Sequence, residues 1–471
     1  MKFGISKLLL GYFIIALSIT PGIYSQTNNS VGRQTSSVAA ELQNAAALIQ
    51  SGKSAEAEPL LRRLVSTSPN NSDAHNLLGI VLDQRGQAEE AEREYRSAIK
   101  LNPKAISART NLGVLLARSN RADEAIKTFE SVLEMVPDHP QATLNLGFQY
   151  AANGNDASAV PLMQKAMALG LDSYNLRYRL GISLFNLKRF DEAMASFDSA
   201  LASAPGAADP HYYLGLIAWS RGQPVQATDL WKKAVALQPE FPAAYFMLGE
   251  ALRTNHQVTA SIEFYKRALE QDPTKFVYYA RLGGVYISLG QPSAALDVFG
   301  RGVQLFPKIP EAHYFLGIAA RATADYKLAE SELRESLSLE ADNVNSLAQL
   351  GFVLLERGRV VDAELTLRRA ITINDKHFYA NYDLGRLLVK SRRYDESIPI
   401  LKRAATLKPN NPGVHYQIFM ALSRLKRKDE AERELVLFKQ LEEARKARPR
   451  IEGDTDDDDA ENPASTSSPQ K

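Results

Sequence analysis

Apolar residues recur along this chain at helical spacing, in short runs that restart at fixed intervals. Between Ser72 and Ala105 two such runs flank Gly86, and each is the length of a short amphipathic helix. The pair Leu78-Gly79 in the first run returns 34 residues later as Leu112-Gly113. It keeps that step through 146/147, 180/181, 214/215, 248/249, 282/283, 316/317, 350/351 and 384/385. A period of this size signals repeated helical hairpins, each touching mainly its neighbours, and overrides the several globular domains that 471 residues would otherwise suggest. Twelve units fit, starting at 38, 72, 106, 140, 174, 208, 242, 276, 310, 344, 378 and 412, and they cover 38–445.

Places within the unit carry physical roles. Glycine inside a helix costs about 1 kcal/mol relative to alanine. Ten glycines at place 8 must therefore be offset, and close packing of the two helices does so. Place 20 is Ala in ten units and Ser in two, Ser261 and Ser397, so a small residue meets the glycine. Proline at place 32, as in Pro69, Pro103 and Pro409, ends the second helix because it has no N–H to donate. Glycine at place 15, as in Gly52, Gly86 and Gly358, suits the turn between helices.

With these markers the chain resembles the tetratricopeptide repeat family, in the exported form found in bacteria. The resemblance implies an all-α fold: a right-handed α-solenoid superhelix of about twelve 34-residue helix–turn–helix repeats. The first and last units are atypical. Asn44-Ala45 and Ile418-Phe419 stand where the others have Leu-Gly, as expected of repeats that cap a stack.

The ends change the picture. Lys2 and Lys7 precede the apolar run 8–19, and Pro21, Gly22 and Ser25 follow it. Residues 1–25 read as a secretory signal, with the mature chain beginning near Gln26; the alternative is an anchor at 8–24. A full membrane span needs about 20 apolar residues, and this run of 12 falls short. Residues 26–37 read as a flexible leader and 446–471 as a disordered acidic tail. Net charge is +2, but 451–471 alone carries −6. The mild positive balance of the rest is no nucleic-acid footprint. Absence of cysteine excludes disulfides, thiolate metal sites and a cysteine nucleophile.

Catalytic and metal chemistry find little support. His75, His211, His313 and His415 all occupy place 4 and read as structural. No two histidines have the i, i+4 spacing of a helical metal pair, and no phosphate-binding, dinucleotide or hydrolase motif occurs. Neither a catalytic residue, a metal site nor a cofactor is expected. Place 24 carries rings such as Tyr95, Phe129, Phe197 and Trp231 that read as core.

By resemblance, the first helices line a concave groove through places 2, 5, 9, 12 and 13. That puts Tyr178, Tyr212, Phe246, Tyr314, Tyr382 and Tyr416 on the groove at place 5, with Phe185 and Trp219 at place 12. Arg253 and Arg321 (place 12), Arg281 (place 6) and Arg386 (place 9) lie alongside, suited to carboxylates of a partner. Trp219 is expected to be exposed and Trp231 buried. The Lys and Asn with which some family members grip a terminal carboxylate are missing. Of the asparagine ladder of O-GlcNAc transferase only Asn111 and Asn145 match. The expected function is a non-catalytic, extracytoplasmic scaffold binding extended peptide or protein segments in its groove. The competing class is an accessory subunit of an envelope assembly, secretion or polysaccharide-synthesis machine. Partners are proteins, not nucleic acid.

Overall fold

A computed structural model describes residues 31–447. The expected signal or anchor and nearly all of the acidic tail lie outside the described residues. The chain divides into two compact units, one reaching Gln223 and one starting at Pro224.

The first unit contains α1 (Val31–Gln50), α2 (Ser54–Thr67), α3 (Ser72–Gln84), α4 (Ala88–Leu101), α5 (Ile106–Arg118), α6 (Ala122–Met135), α7 (Pro140–Ala152), α8 (Asp156–Ala168), α9 (Tyr174–Asn186), α10 (Phe190–Ser203) and α11 (Ala208–Ser220). The second contains α12 (Pro224–Leu237), α13 (Pro242–Thr254), α14 (Val258–Gln271), α15 (Phe276–Ser288), α16 (Pro292–Leu305), α17 (Pro310–Ala322), α18 (Tyr326–Leu339), α19 (Val344–Glu356), α20 (Val360–Ile373), α21 (Phe378–Lys390), α22 (Tyr394–Leu407), α23 (Pro412–Arg424) and α24 (Lys428–Ala447). Among the described residues there are 24 helices and no strand. Within each unit consecutive helices pack as antiparallel hairpins, and each hairpin packs on the next. The fold is an α-solenoid of the expected repeats.

The repeat markers act as their chemistry requires. A methyl group on Gly79 would stand 2.7 Å from the Tyr95 ring, and one on Gly181 would stand 2.6 Å from Phe197. Both rings are fully buried. Place 8 is glycine because the place-24 side chain, a ring in these repeats and Leu or Met in others, occupies the space where Cβ would be; the sequence reading had set the small place-20 residue there instead. Place 15 is left-handed in all twelve units: Gly52, Gly86, Gly154, Gly222, Gly290 and Gly358, but also Asn120, Lys188, His256, Ala324, Arg392 and Lys426, all with positive φ. The geometry belongs to the repeat, and six side chains tolerate a conformation that glycine adopts freely.

Place 34 caps the next first helix. Asn71, Ser173, Asn343 and Asn411 accept from the backbone N–H three residues on, and His139 and His377 do so through Nδ1. An accepting nitrogen must be unprotonated. Burial pushes His377 down to about 4, with the Lys408 charge assisting.

The first helix begins at Val31, inside the stretch expected to be a flexible leader. Every later first helix is stopped upstream by the turn closing the preceding repeat. Among the described residues no repeat precedes Val38, and no turn ends the helix there.

Successive second helices are tied by arginines at place 16. Arg121 meets Glu124 at 2.7 Å and Glu92 of the preceding repeat at 2.6 Å. Arg393 repeats this with Glu396 and Glu364, each at 2.7 Å. Such surface pairs contribute about 0–1 kcal/mol each.

Three place-4 histidines clasp neighbouring repeats. His75, His313 and His415 meet a glutamate at place 23 through Nδ1 (Glu94 2.6 Å, Glu332 2.7 Å, Glu434 2.7 Å). Their Nε2 meets the proline carbonyl closing the preceding repeat (Pro69 3.0 Å, Pro307 3.1 Å, Pro409 2.9 Å). His211 shares the place, but Leu230 stands where the others have glutamate.

The Glu434 bond raises the His415 pKa above its ordinary value, against desolvation, with the Pro409 carbonyl adding to it. A raised pKa means that the stabilisation is present in full below the unfolded value of about 6.5 and is lost as pH rises through the folded pKa. Thermal melts from pH 5.5 to 8.5 should therefore show the last repeat weakening as pH rises. His415→Leu should flatten that dependence, and an unchanged pH profile in the variant would remove the clasp from the account.

Candidate functional site

The first helices position the expected binding residues, and the structure sorts them. In the first unit Tyr178 stacks on Tyr174 (5.6 Å between ring centroids, 7° between planes) and meets Tyr213 of the next first helix edge-on at 6.1 Å. Phe185 and Tyr212 also reach Tyr213, each at 5.5 Å. In the second unit Phe246 packs on Tyr265 and Tyr278, and Tyr314 on Phe315.

Tyr178, Tyr212, Phe246 and Tyr314 are all buried, whereas the sequence reading placed them on an open groove. Tyr178 and Phe246 enter the seam between their own first helix and the next, where they meet Tyr213 and Tyr278. Tyr416, in the last of the described repeats, is 39% exposed, and Tyr382 is half-buried although α23 follows it. Phe185 stays half-buried. Trp219 is also half-buried, not openly exposed as expected, while Trp231 is fully buried.

The arginines are on the expected helices, but Arg253, Arg281 and Arg386 already hold carboxylates of this chain. Glu250 on α13 receives Arg281 at 3.1 Å, Arg253 at 3.3 Å and the Tyr265 hydroxyl at 2.5 Å. One carboxylate thus faces two guanidiniums. Farther along, the guanidiniums of Arg321 and Arg386 lie over the Phe352 ring, 5.0 and 5.1 Å from its centroid. Arg386 also meets Glu356 at 3.0 Å and Asp383 at 3.5 Å. Burial pushes the Asp383 carboxyl up to about 6, with the Arg386 and Arg321 charges opposing.

The first unit shows the same chemistry on a smaller scale. Asp83 pairs with Arg118, Asn111 donates to Asn76 at 3.2 Å, and Arg179 lies 4.9 Å over the Phe148 ring.

The sequence reading missed Tyr174, Tyr213, Asp209, Glu250 and Asp383. Their places, 1, 2, 6 and 9, recur in the register, so an acid or ring there was a usable signal. Among the described residues no cluster of three or more His, Cys, Asp or Glu could hold a metal ion. Also among them, no helix is long and apolar enough to cross a membrane.

Hairpins of this length and register, with aromatic and charged side chains on their first helices, define a helical repeat protein. The chain belongs to the tetratricopeptide repeat family. One tetratricopeptide-repeat profile matches residues 48–110 and 82–147, and a second matches 149–208, 178–228, 212–275, 281–346 and 348–412. No match was found among curated proteins.

Solved structures similar to this chain include YrrB, described as a TPR protein with an unusual peptide-binding site (22% identity, 39% of this chain and 95% of that one, TM-score 0.37). MamA is another (27% identity, 34% and 94%, TM-score 0.32). PilF of Pseudomonas aeruginosa is a third (20% identity, 45% and 96%, TM-score 0.40). Membership of the family makes this chain a protein-interaction scaffold with protein partners.

Proposed function

We propose that this chain is a non-catalytic, exported scaffold that binds extended protein segments along the first-helix face of its repeats. The observation that carries the reading is the cluster on α19 and α21. Arg386 is held over Phe352 by Glu356 and Asp383 and keeps 28% of its side chain exposed. A guanidinium has five donors, and those not engaged internally remain for a partner's acceptors. Internal pairing fixes the side chain before the partner arrives and so lowers the ordering cost of binding. Arginine and aromatic residues dominate binding hot spots. The candidate face keeps Tyr178, Phe185, Tyr212 and Trp219 on the first unit, and Phe246, Arg253, Arg281, Tyr314 and Arg321 on the second. Buried members among them shape the face rather than touch the partner.

Cross-linking and capture from an envelope extract tests this. Arg386→Gln and Phe352→Ala should lose partners that the wild type retains. Identical partner sets would mean that binding lies elsewhere. Export rests on the basic start and apolar run of residues 1–25. N-terminal sequencing from the native host should find a chain starting near Gln26. An intact Met1 in the membrane fraction supports the anchor at 8–24, and an intact Met1 in a soluble cytosolic fraction overturns export. The apolar run also suits the alternative, an accessory subunit of an envelope assembly, secretion or polysaccharide-synthesis machine.

A further inference from the structure

Place 21 of the second helices carries a glutamate in five repeats. For Glu58, Glu92, Glu330 and Glu364 the following repeat supplies an arginine: Arg85, Arg121 at 2.6 Å, Arg359 at 2.5 Å and Arg393 at 2.7 Å. This side of a second helix is therefore the side that meets the next repeat. Each of the four also pairs with an arginine four residues on in its own helix, at place 25. Glu432 on α24 has neither partner. Val436 stands at its place 25, and no repeat follows among the described residues.

The apolar side chains of α24 are uncovered in the same way. Leu435 is at place 24, where Leu333, Leu367 and Leu401 of the three preceding repeats are fully buried, yet it stays half-buried. Val436 is 49% exposed.

The charges beside them read alike in both directions. Lys428, Glu432, Lys439 and Glu443 are all exposed, and none takes part in an ion pair among the described residues. The ion pairs of α24 use Glu430, Glu434, Glu442 and Arg445 instead. At about 100° per residue, the four charges and Val436 fall within an arc of roughly 80° on one side of the helix. Lys428 and Glu443 lie equally far on either side of the bond between Leu435 and Val436, and so do Glu432 and Lys439. Turning the helix end for end thus exchanges each lysine with a glutamate. A second α24 laid antiparallel on this side sets Glu432 against Lys439 and Lys428 against Glu443, each twice, with the apolar pair at the centre. A twofold interface has this self-complementarity, in which residue i meets j and j meets i. A parallel pair in register would set like charges together.

We propose that the side of α24 formed by Lys428, Glu432, Val436, Lys439 and Glu443 is a docking surface for a second copy of this chain, paired antiparallel about a twofold axis. Burial of Leu435 and Val436 favours the contact, and the charges fix its direction and register. Residues 448–471 match the surface poorly. Ile451 is their only large apolar side chain, and 451–471 carries −6, which would repel Glu432 and Glu443. The surface is separate from the first-helix face, so the proposal stands or falls apart from the groove reading.

Sedimentation velocity of the full chain purified from its host tests this. The wild type should shift from monomer to dimer as concentration rises. Glu432→Lys and Lys439→Glu should each raise the dimer dissociation constant about ten-fold or more, because each sets like charges against one another at two contacts of the twofold. Mixing the two variants should restore dimers, since every contact is again between opposite charges. Combining both changes in one chain should restore them too. Helical circular dichroism and thermal melts of the variants should match the wild type, because all these side chains are exposed. A wild type that stays monomeric overturns the proposal. So does a dimer indifferent to the single changes, or one that neither the mixture nor the double variant restores. A monomer that dimerises only when residues 448–471 are removed would show that these residues cover the surface, and likewise overturns it.

Discussion

Gly113→Leu should destabilise the first unit by about 1–3 kcal/mol or more, through overpacking against Phe129. Even Gly113→Ala should destabilise. At an open helix position the same change gains about 1 kcal/mol, so the sign is diagnostic. A Cβ on Gly113 would stand 2.5 Å from Phe129 Cε1 and 2.8 Å from Cζ. The ring has nowhere to retreat, because Phe129 is fully buried with Val132 and Leu112 in the same core. Gly300 is the control: it lies within α16 and a Cβ there would meet nothing within 4 Å. Gly300→Ala should therefore stabilise. Urea unfolding of the single variants and of Gly113→Ala/Phe129→Ala checks this. The double variant should be less destabilised than the sum of its parts, because shrinking the ring makes room for the methyl. Additive losses, or a stabilising Gly113→Ala, would show that the helices are not held at this distance by the ring.

Glu250→Leu should cost the second unit roughly 3–5 kcal/mol, the range for breaking a buried ion pair by removing one partner. Arg281 and Glu250 keep only 9% and 14% of their side chains exposed, which is why the buried rather than the surface value applies. The substitution would leave Arg281 and Arg253 without Glu250 and the Tyr265 hydroxyl without its acceptor. Glu250→Gln should cost less, since the amide oxygen can still accept from Tyr265. Glu250→Leu/Arg281→Leu should regain much of the loss, because buried ion pairs are often replaceable by apolar pairs of similar volume. Equilibrium unfolding followed by circular dichroism reads all three. A loss below about 0.5 kcal/mol for Glu250→Leu would place these charges in effective contact with water.

The periodic residues were legible because each answers to a local demand repeated twelve times. Proline at place 32 answers to the end of a helix and place 15 to a left-handed turn; glycine at place 8 was legible as a close helix contact, but the place-24 side chain that it faces was not. Such demands depend only on the helix pair that contains them, so one chain supplies many readings of the same rule. The candidate face was legible only in outline. The register indicated which helix carries Tyr178, Phe246 and Arg386, but not how deeply each would sit.

Sequence alone determined the hairpin, its length, its turn and the repeat period. The tertiary structure decided what each face presents. At the same place 5, Tyr178 and Tyr314 are buried, Tyr382 is half-buried and Tyr416 is exposed, because burial there is set by packing against neighbouring helices. Arg281 is bound to Glu250 and Arg386 to Glu356, because those carboxylates come from the preceding repeat, 31 and 30 residues away. Packing between repeats brings together side chains whose separation in sequence carries no local signal, and that packing sets both the burial and the charge balance of the face.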